Sequence, residues 1–230
     1  MSRFLQRLLG LSGPQPPHSA HGLAAEAGTA PTHVPHKDYE GAKTGMWLFL
    51  FTELLLFGGL FLVYAVYRQM YTHEFHAAAR ELSRVLGVAN TFVLLTSSLT
   101  MVLSVTALQR GDRRSALNTL FWTLFLAGAF LVIKAFEWGV KFSHGLYPGS
   151  EQLRELPLGE GLFFGLYFVM TGLHGFHVIV GMILLAVVAR RVQDGRVHSG
   201  DFVLLENAGL YWHLVDLIWI FLLPLFYLTN

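Results

Sequence analysis

The stretch GLFFGLYFVMTGLHGFHVIVGMILLAVVA, residues 161–189, decides the fold. It runs 29 residues with no Asp, Glu, Lys or Arg. A helix of that length rises well beyond the roughly 30 Å of a bilayer's hydrocarbon core. Four further segments read the same way: Gly45–Tyr67, Val88–Leu108, Ala116–Val140 and Ala208–Leu228. None alternates strictly every second residue, as the strands of a membrane barrel would. Each helix satisfies its own backbone in lipid. The expected fold class is therefore all-α: an integral membrane bundle of five transmembrane helices over residues 45–230.

Composition agrees. The 230 residues are 53% hydrophobic and only 13% charged, against about a quarter charged in a soluble domain. Mean hydropathy is +0.49. Sixteen Lys and Arg balance fifteen Asp and Glu, so there is no electrostatic footprint for nucleic acid and none is expected as a partner. With no cysteine, disulfides, thiolate metal sites and cysteine nucleophiles are excluded.

Basic residues set the expected orientation. Ten lie on one side: Arg3, Arg7, Lys37 and Lys43 in the N-terminal segment, Arg110, Arg113 and Arg114, and Arg190, Arg191 and Arg196. Five lie on the other: Arg68, Arg80, Arg84, Lys141 and Arg154. The positive-inside rule then predicts a cytoplasmic N-terminus and a periplasmic C-terminus, with Trp47, Trp138, Tyr147, Tyr211 and Tyr227 near span ends as interfacial rings. Residues 1–44 are expected to form a flexible cytoplasmic tail. Met1–Leu11 reads as a short helix on the membrane surface, and Pro14–Pro35 is rich in Pro, Gly, Ala and His without apolar period.

An ionisable group at membrane depth is costly unless paired or hydrated, so each needs an explanation. The set is Glu53, Lys134, Glu137, His174, His177, His213 and Asp216. Counting 1.5 Å per residue places Glu53 and Asp216 about 12 Å from the cytoplasmic ends of their spans and His177 about 18 Å, near one layer. Glu53 shares a stripe with Phe57, Leu60 and Tyr64; it is either a proton-exchanging carboxyl or helix-joining glue. Lys134 and Glu137, three apart, share a face and are expected to form a structural ion pair. His174 and His177 sit among five glycines (Gly161, Gly165, Gly172, Gly175, Gly181) that permit close helix approach; the alternative is a haem or metal ligand set completed by His213. Asp216, three after His213, is placed to accept from its imidazole. No Ser-His-Asp arrangement, phosphate loop or zinc-protease pattern competes, so catalytic, cofactor-binding and metal residues are expected to be none.

Three stretches carry a family resemblance: TGLHGFHVIVG (171–181), YWHLVDLIW (211–219) and GMWLFLFTE (45–53). Asn90-Thr91, Thr96-Ser97-Ser98 and the run from Lys134 to Trp138 add weaker support. From about Gly45 to the end, order and spacing resemble subunit III of the haem-copper oxidases, the cytochrome c oxidase subunit III family, of five-helix bacterial type. The resemblance implies an accessory, non-redox subunit in the bacterial inner membrane. Haem and copper belong to partner subunits I and II, a small subunit IV is a further partner, and membrane lipid surrounds the chain, with room for a bound phospholipid. It implies support of proton uptake and of the catalytic subunit's stability in the reduction of oxygen by cytochrome c. By motif position Glu53 corresponds to the family's buried carboxyl, and His174, His177, His213 and Asp216 to its intramembrane polar set. Many members have two further N-terminal helices enclosing a lipid-filled cleft, where this chain has its N-terminal segment. Alternatives are subunit III of a quinol oxidase, an accessory subunit of a nitric oxide reductase, a free-standing haem or metal protein, and a proton channel.

Overall fold

The computed structural model describes residues 39–228. The helices are α1 (Tyr39–Met70), α2 (Thr72–Arg80), α3 (Arg84–Gln109), α4 (Arg113–Ser143), α5 (Glu151–Glu155), α6 (Leu158–Gln193) and α7 (Val203–Tyr227). Five of them, α1, α3, α4, α6 and α7, are long and apolar enough to cross a membrane. The expected surface helix at Met1–Leu11 and the Pro14–Pro35 segment lie outside the described residues.

Residues 39–44, assigned to the tail from composition, are instead the first turns of α1. The apolar run begins at Gly45, so hydropathy alone stops there. The helix continues because Glu40 sits favourably in the positive first turn, and because Lys43 Nζ lies 2.7 Å from Glu206 Oε2 of α7. Two short helices escaped the sequence reading because neither is long enough to span. In α2, Phe75, Ala78 and Ala79 form a buried face at i, i+3 and i+4, and Glu74 accepts from the Gly159 N–H at the start of α6. Ser150 caps α5 by accepting from Leu153 N at 3.2 Å.

Helix ends follow local chemistry. Ser83 accepts from Leu86 N at the start of α3. Asp112 accepts from Ser115 N at 3.0 Å and from its hydroxyl at 2.6 Å to open α4. These bonds hold the exposed Asp112 carboxyl below its ordinary range. Gly111, between α3 and α4, takes a φ of 81° that a side chain would strain.

α3 and α4 form an antiparallel hairpin, α7 packs on α3 and α6, and α4 closes on α6. α1 packs on α6 and α7. Half of the most apolar window of α7 is buried, against 11% for α1. Close approach in the core is bought by small residues. A Cβ on Gly181 would stand 2.9 Å from the Trp212 ring, and one on Gly87 2.7 Å from the Tyr227 ring. Polar side chains bridge the same seams: Trp212 Nε1 donates to Ser97 Oγ at 2.9 Å, Trp219 Nε1 to Thr91 Oγ1 at 3.0 Å, and Ser104 Oγ to the Ala116 carbonyl at 3.0 Å. Pro224 lies within α7, and in the following residue the Leu225 carbonyl accepts from Tyr64 OH at 2.5 Å.

Of the expected interfacial rings, Trp47 and Tyr147 are exposed, whereas Tyr211 and Tyr227 are buried. Their hydroxyls have partners inside the bundle, which removes the reason for a tyrosine to seek the headgroup layer.

Candidate functional site

Lys134 of α4 is buried beside Glu137, one turn on. Its ammonium lies 3.1 Å from Glu137 Oε2 and donates to Tyr167 OH at 3.1 Å and Tyr227 OH at 2.6 Å. Both hydroxyls then donate to Glu137 Oε1, at 3.0 Å and 2.6 Å. All three ammonium protons and both carboxylate oxygens are engaged. The rings of Tyr167, Trp219 and Tyr227 stand 4.9, 5.0 and 5.3 Å from Nζ, within cation–π range. This quartet joins α4, α6 and α7 and closes a buried charge pair with its full complement of hydrogen bonds. Sequence gave the i, i+3 pair, but not Tyr167 or Tyr227, whose partners lie 30 and 90 residues away.

The second cluster sits where α1 meets α6. His177 Nε2 is 2.9 Å from Glu53 Oε2, and the two side chains are 11% and 16% exposed. His177 Nδ1 is 2.8 Å from the Leu173 carbonyl, one turn earlier. A carbonyl only accepts, so Nδ1 carries a proton and donates. The Nε2–Oε2 contact then holds one proton, on the carboxyl or on the ring, since a bare carboxylate facing a bare Nε2 lone pair would repel. The neutral sum of either arrangement suits a membrane site. Phe57 meets the His177 ring edge-on at 5.3 Å, and Tyr211 OH donates to the His177 carbonyl at 3.1 Å.

The remaining groups are not arranged as spacing suggests. His174 turns away from His177 into the core, 5.6 Å from the Phe130 ring and 5.2 Å from the Trp219 ring. His213 Nδ1 lies 2.7 Å from Ser98 Oγ of α3, and the expected bond from His213 to Asp216 is not formed. Neither Asp216 oxygen has a hydrogen-bond partner among the described residues. Spacing of three permits that contact without imposing it, and the neighbouring α3 offers His213 a hydroxyl. The three intramembrane histidines thus occupy three separate surroundings, and no group of three or more His, Cys, Asp or Glu among the described residues could hold a metal ion.

Comparison with known proteins bears on what such a bundle is. The family model described as cytochrome c oxidase subunit III matches residues 21–230. The chain belongs to the cytochrome c oxidase subunit III family. It is 31% identical over 200 residues to "Cytochrome c oxidase subunit 3" of Thermostichus vulcanus, covering 85% of this chain and 90% of that one. It is 32% identical over 202 residues to the protein of the same name from Synechocystis, covering 87% and 80%. A third relative, "Heme-copper oxidase subunit I+III" of Aeropyrum pernix, is 28% identical over 208 residues, or 86% of this chain and 24% of that longer one. This subunit III is thus a multi-pass membrane protein of a haem-copper oxidase family, and its two polar clusters lie within the matched region.

Proposed function

We propose that this chain is the accessory, non-redox subunit of a cytochrome c-oxidising haem-copper oxidase in a bacterial inner membrane. It sits beside subunits I and II, with a small subunit IV as a further neighbour, its N-terminus cytoplasmic and its C-terminus periplasmic. Haem and copper reside in the partners. The observation that carries this reading is the family match across residues 21–230. A relative whose name joins subunits I and III in one chain supports contact with the catalytic subunit. The lightly buried α1 supports a seat for that contact, because an apolar helix with so little internal packing has most of its surface left for neighbours.

In this reading the Lys134–Glu137 pair is scaffolding, and Glu53 with His177 influences proton uptake by the catalytic subunit. Glu53, at 16% side-chain exposure, is the more open member of the pair, on the helix with the least internal packing of the five spans. His174, His213 and Asp216 complete the intramembrane polar set. A tagged full-length chain should copurify from native membranes with haem- and copper-bearing partners. Glu53→Gln keeps an N–H donor for His177 Nε2 and removes the exchangeable carboxyl proton; it should leave assembly intact and lower the rate of proton uptake or the survival time during turnover. Copurification without haem proteins would refute the subunit assignment. Wild-type proton uptake and survival in the Glu53→Gln complex would reduce Glu53 to helix-joining glue.

A further inference from the structure

Three buried polar side chains have no hydrogen-bond partner among the described residues, and they sit on the three helices that meet at one indole. Asn90 of α3 and His174 of α6 are wholly buried, Asp216 of α7 is 3% exposed, and all six of their polar side-chain atoms lack a hydrogen-bond partner among the described residues. Trp219 locates them. Its Nε1 donates to Thr91, the residue after Asn90. Its ring lies 5.2 Å from that of His174 and 4.8 Å from that of Phe130. Asp216 precedes it by three residues, about 4.5 Å of helical rise. Ser98 is beside Asp216, and its hydroxyl lies 2.7 Å from His213 Nδ1.

Buried amides, imidazoles and carboxyls are almost always hydrogen-bonded, to protein or to ordered water. In a bilayer core the requirement is stricter, because no solvent reaches a group whose partner is missing. Here the surrounding side chains of Trp219 and Phe130 are aromatic and supply no free acceptor, and the adjacent Lys134 has spent its three protons on Glu137, Tyr167 and Tyr227. We infer that the junction of α3, α6 and α7 around Trp219 is an internal water-binding site, ligated by Asn90, His174 and Asp216. At about three hydrogen bonds per buried water, six polar atoms call for roughly two molecules. The site joins the His213–Ser98 bond on one side to the Lys134 quartet on the other through a wet layer inside the bundle.

X-ray radiolytic footprinting of the full chain in its native membrane tests this, because hydroxyl radicals made from bound water oxidise the side chains touching it. Trp219 and Phe130 should be oxidised several-fold more than Phe75 and Phe163, which are equally buried but have none of these orphan groups beside them. Asn90→Leu should cut the Trp219 and Phe130 signal several-fold, while continued low labelling of Phe75 and Phe163 reports an intact fold. Trp219 and Phe130 as silent as Phe75 and Phe163 in the wild-type chain would overturn the site. So would an Asn90→Leu chain with Phe75 and Phe163 still protected and Trp219 labelled as before.

Discussion

The Lys134 quartet and the Glu53–His177 pair are both ionisable clusters inside a membrane bundle, yet they are built on opposite plans. The quartet ties three helices, is almost fully enclosed and leaves no ammonium proton or carboxylate oxygen idle. The pair joins the least buried spanning helix to α6 through one side-chain contact, and Glu53, at 16% side-chain exposure, is its more open member. Enclosure with complete bonding gives rigidity. A single side-chain bond between two helices constrains less. The same residue types are thus held by many neighbours in one cluster and by few in the other.

The largest expected effect comes from breaking the scaffold on one side only. Glu137→Ala leaves Lys134 charged and enclosed, a defect worth about 3–5 kcal/mol, and should abolish recovery of folded chain or sharply lower its melting point. Replacing both members together, as Lys134→Met with Glu137→Leu, should restore much of that loss. If the double variant is as impaired as the single one, the quartet is more than a neutralised pair. Glu53→Gln should destabilise the fold far less, by under about 1 kcal/mol, since an amide retains the contact with Nε2. A loss matching that of Glu137→Ala would erase the distinction between the clusters. The smallest effect belongs outside both. Asp112→Ala removes the exposed cap of α4 and should lower stability slightly at neutral pH. Because the folded carboxyl titrates below its unfolded value, the stabilisation is present above the ordinary aspartate range and lost as pH falls through the folded value. Melting curves of wild type and variant should therefore converge on acidification.

The bundle was legible because spanning segments need only length and apolarity, and all five were found with their order. The intrahelical Lys134–Glu137 pair was legible for a similar reason, since i, i+3 spacing is local. What could not be read was anything set by helix rotation and neighbour choice. Glu53 finds His177 across 124 residues of sequence. His213 takes Ser98 in place of Asp216. Tyr211 and Tyr227 turn inward because the His177 carbonyl and Glu137 accept their protons. Residues 39–44 look like tail by hydropathy, and Glu40 in the first turn together with the Lys43–Glu206 contact shows why the helix extends through them.

The seating of α1 also has a consequence in time. It leaves the ribosome before every other described helix, yet the surfaces it needs belong to α6 and α7, which begin at Leu158 and Val203. Until they are made, Glu53 has no imidazole to meet and Tyr64 has no Leu225 carbonyl. During synthesis α1 therefore precedes both of the long helices it packs against. The end of α7 completes the berth of α1, so a chain cut within α7 would strand α1 along with the missing end.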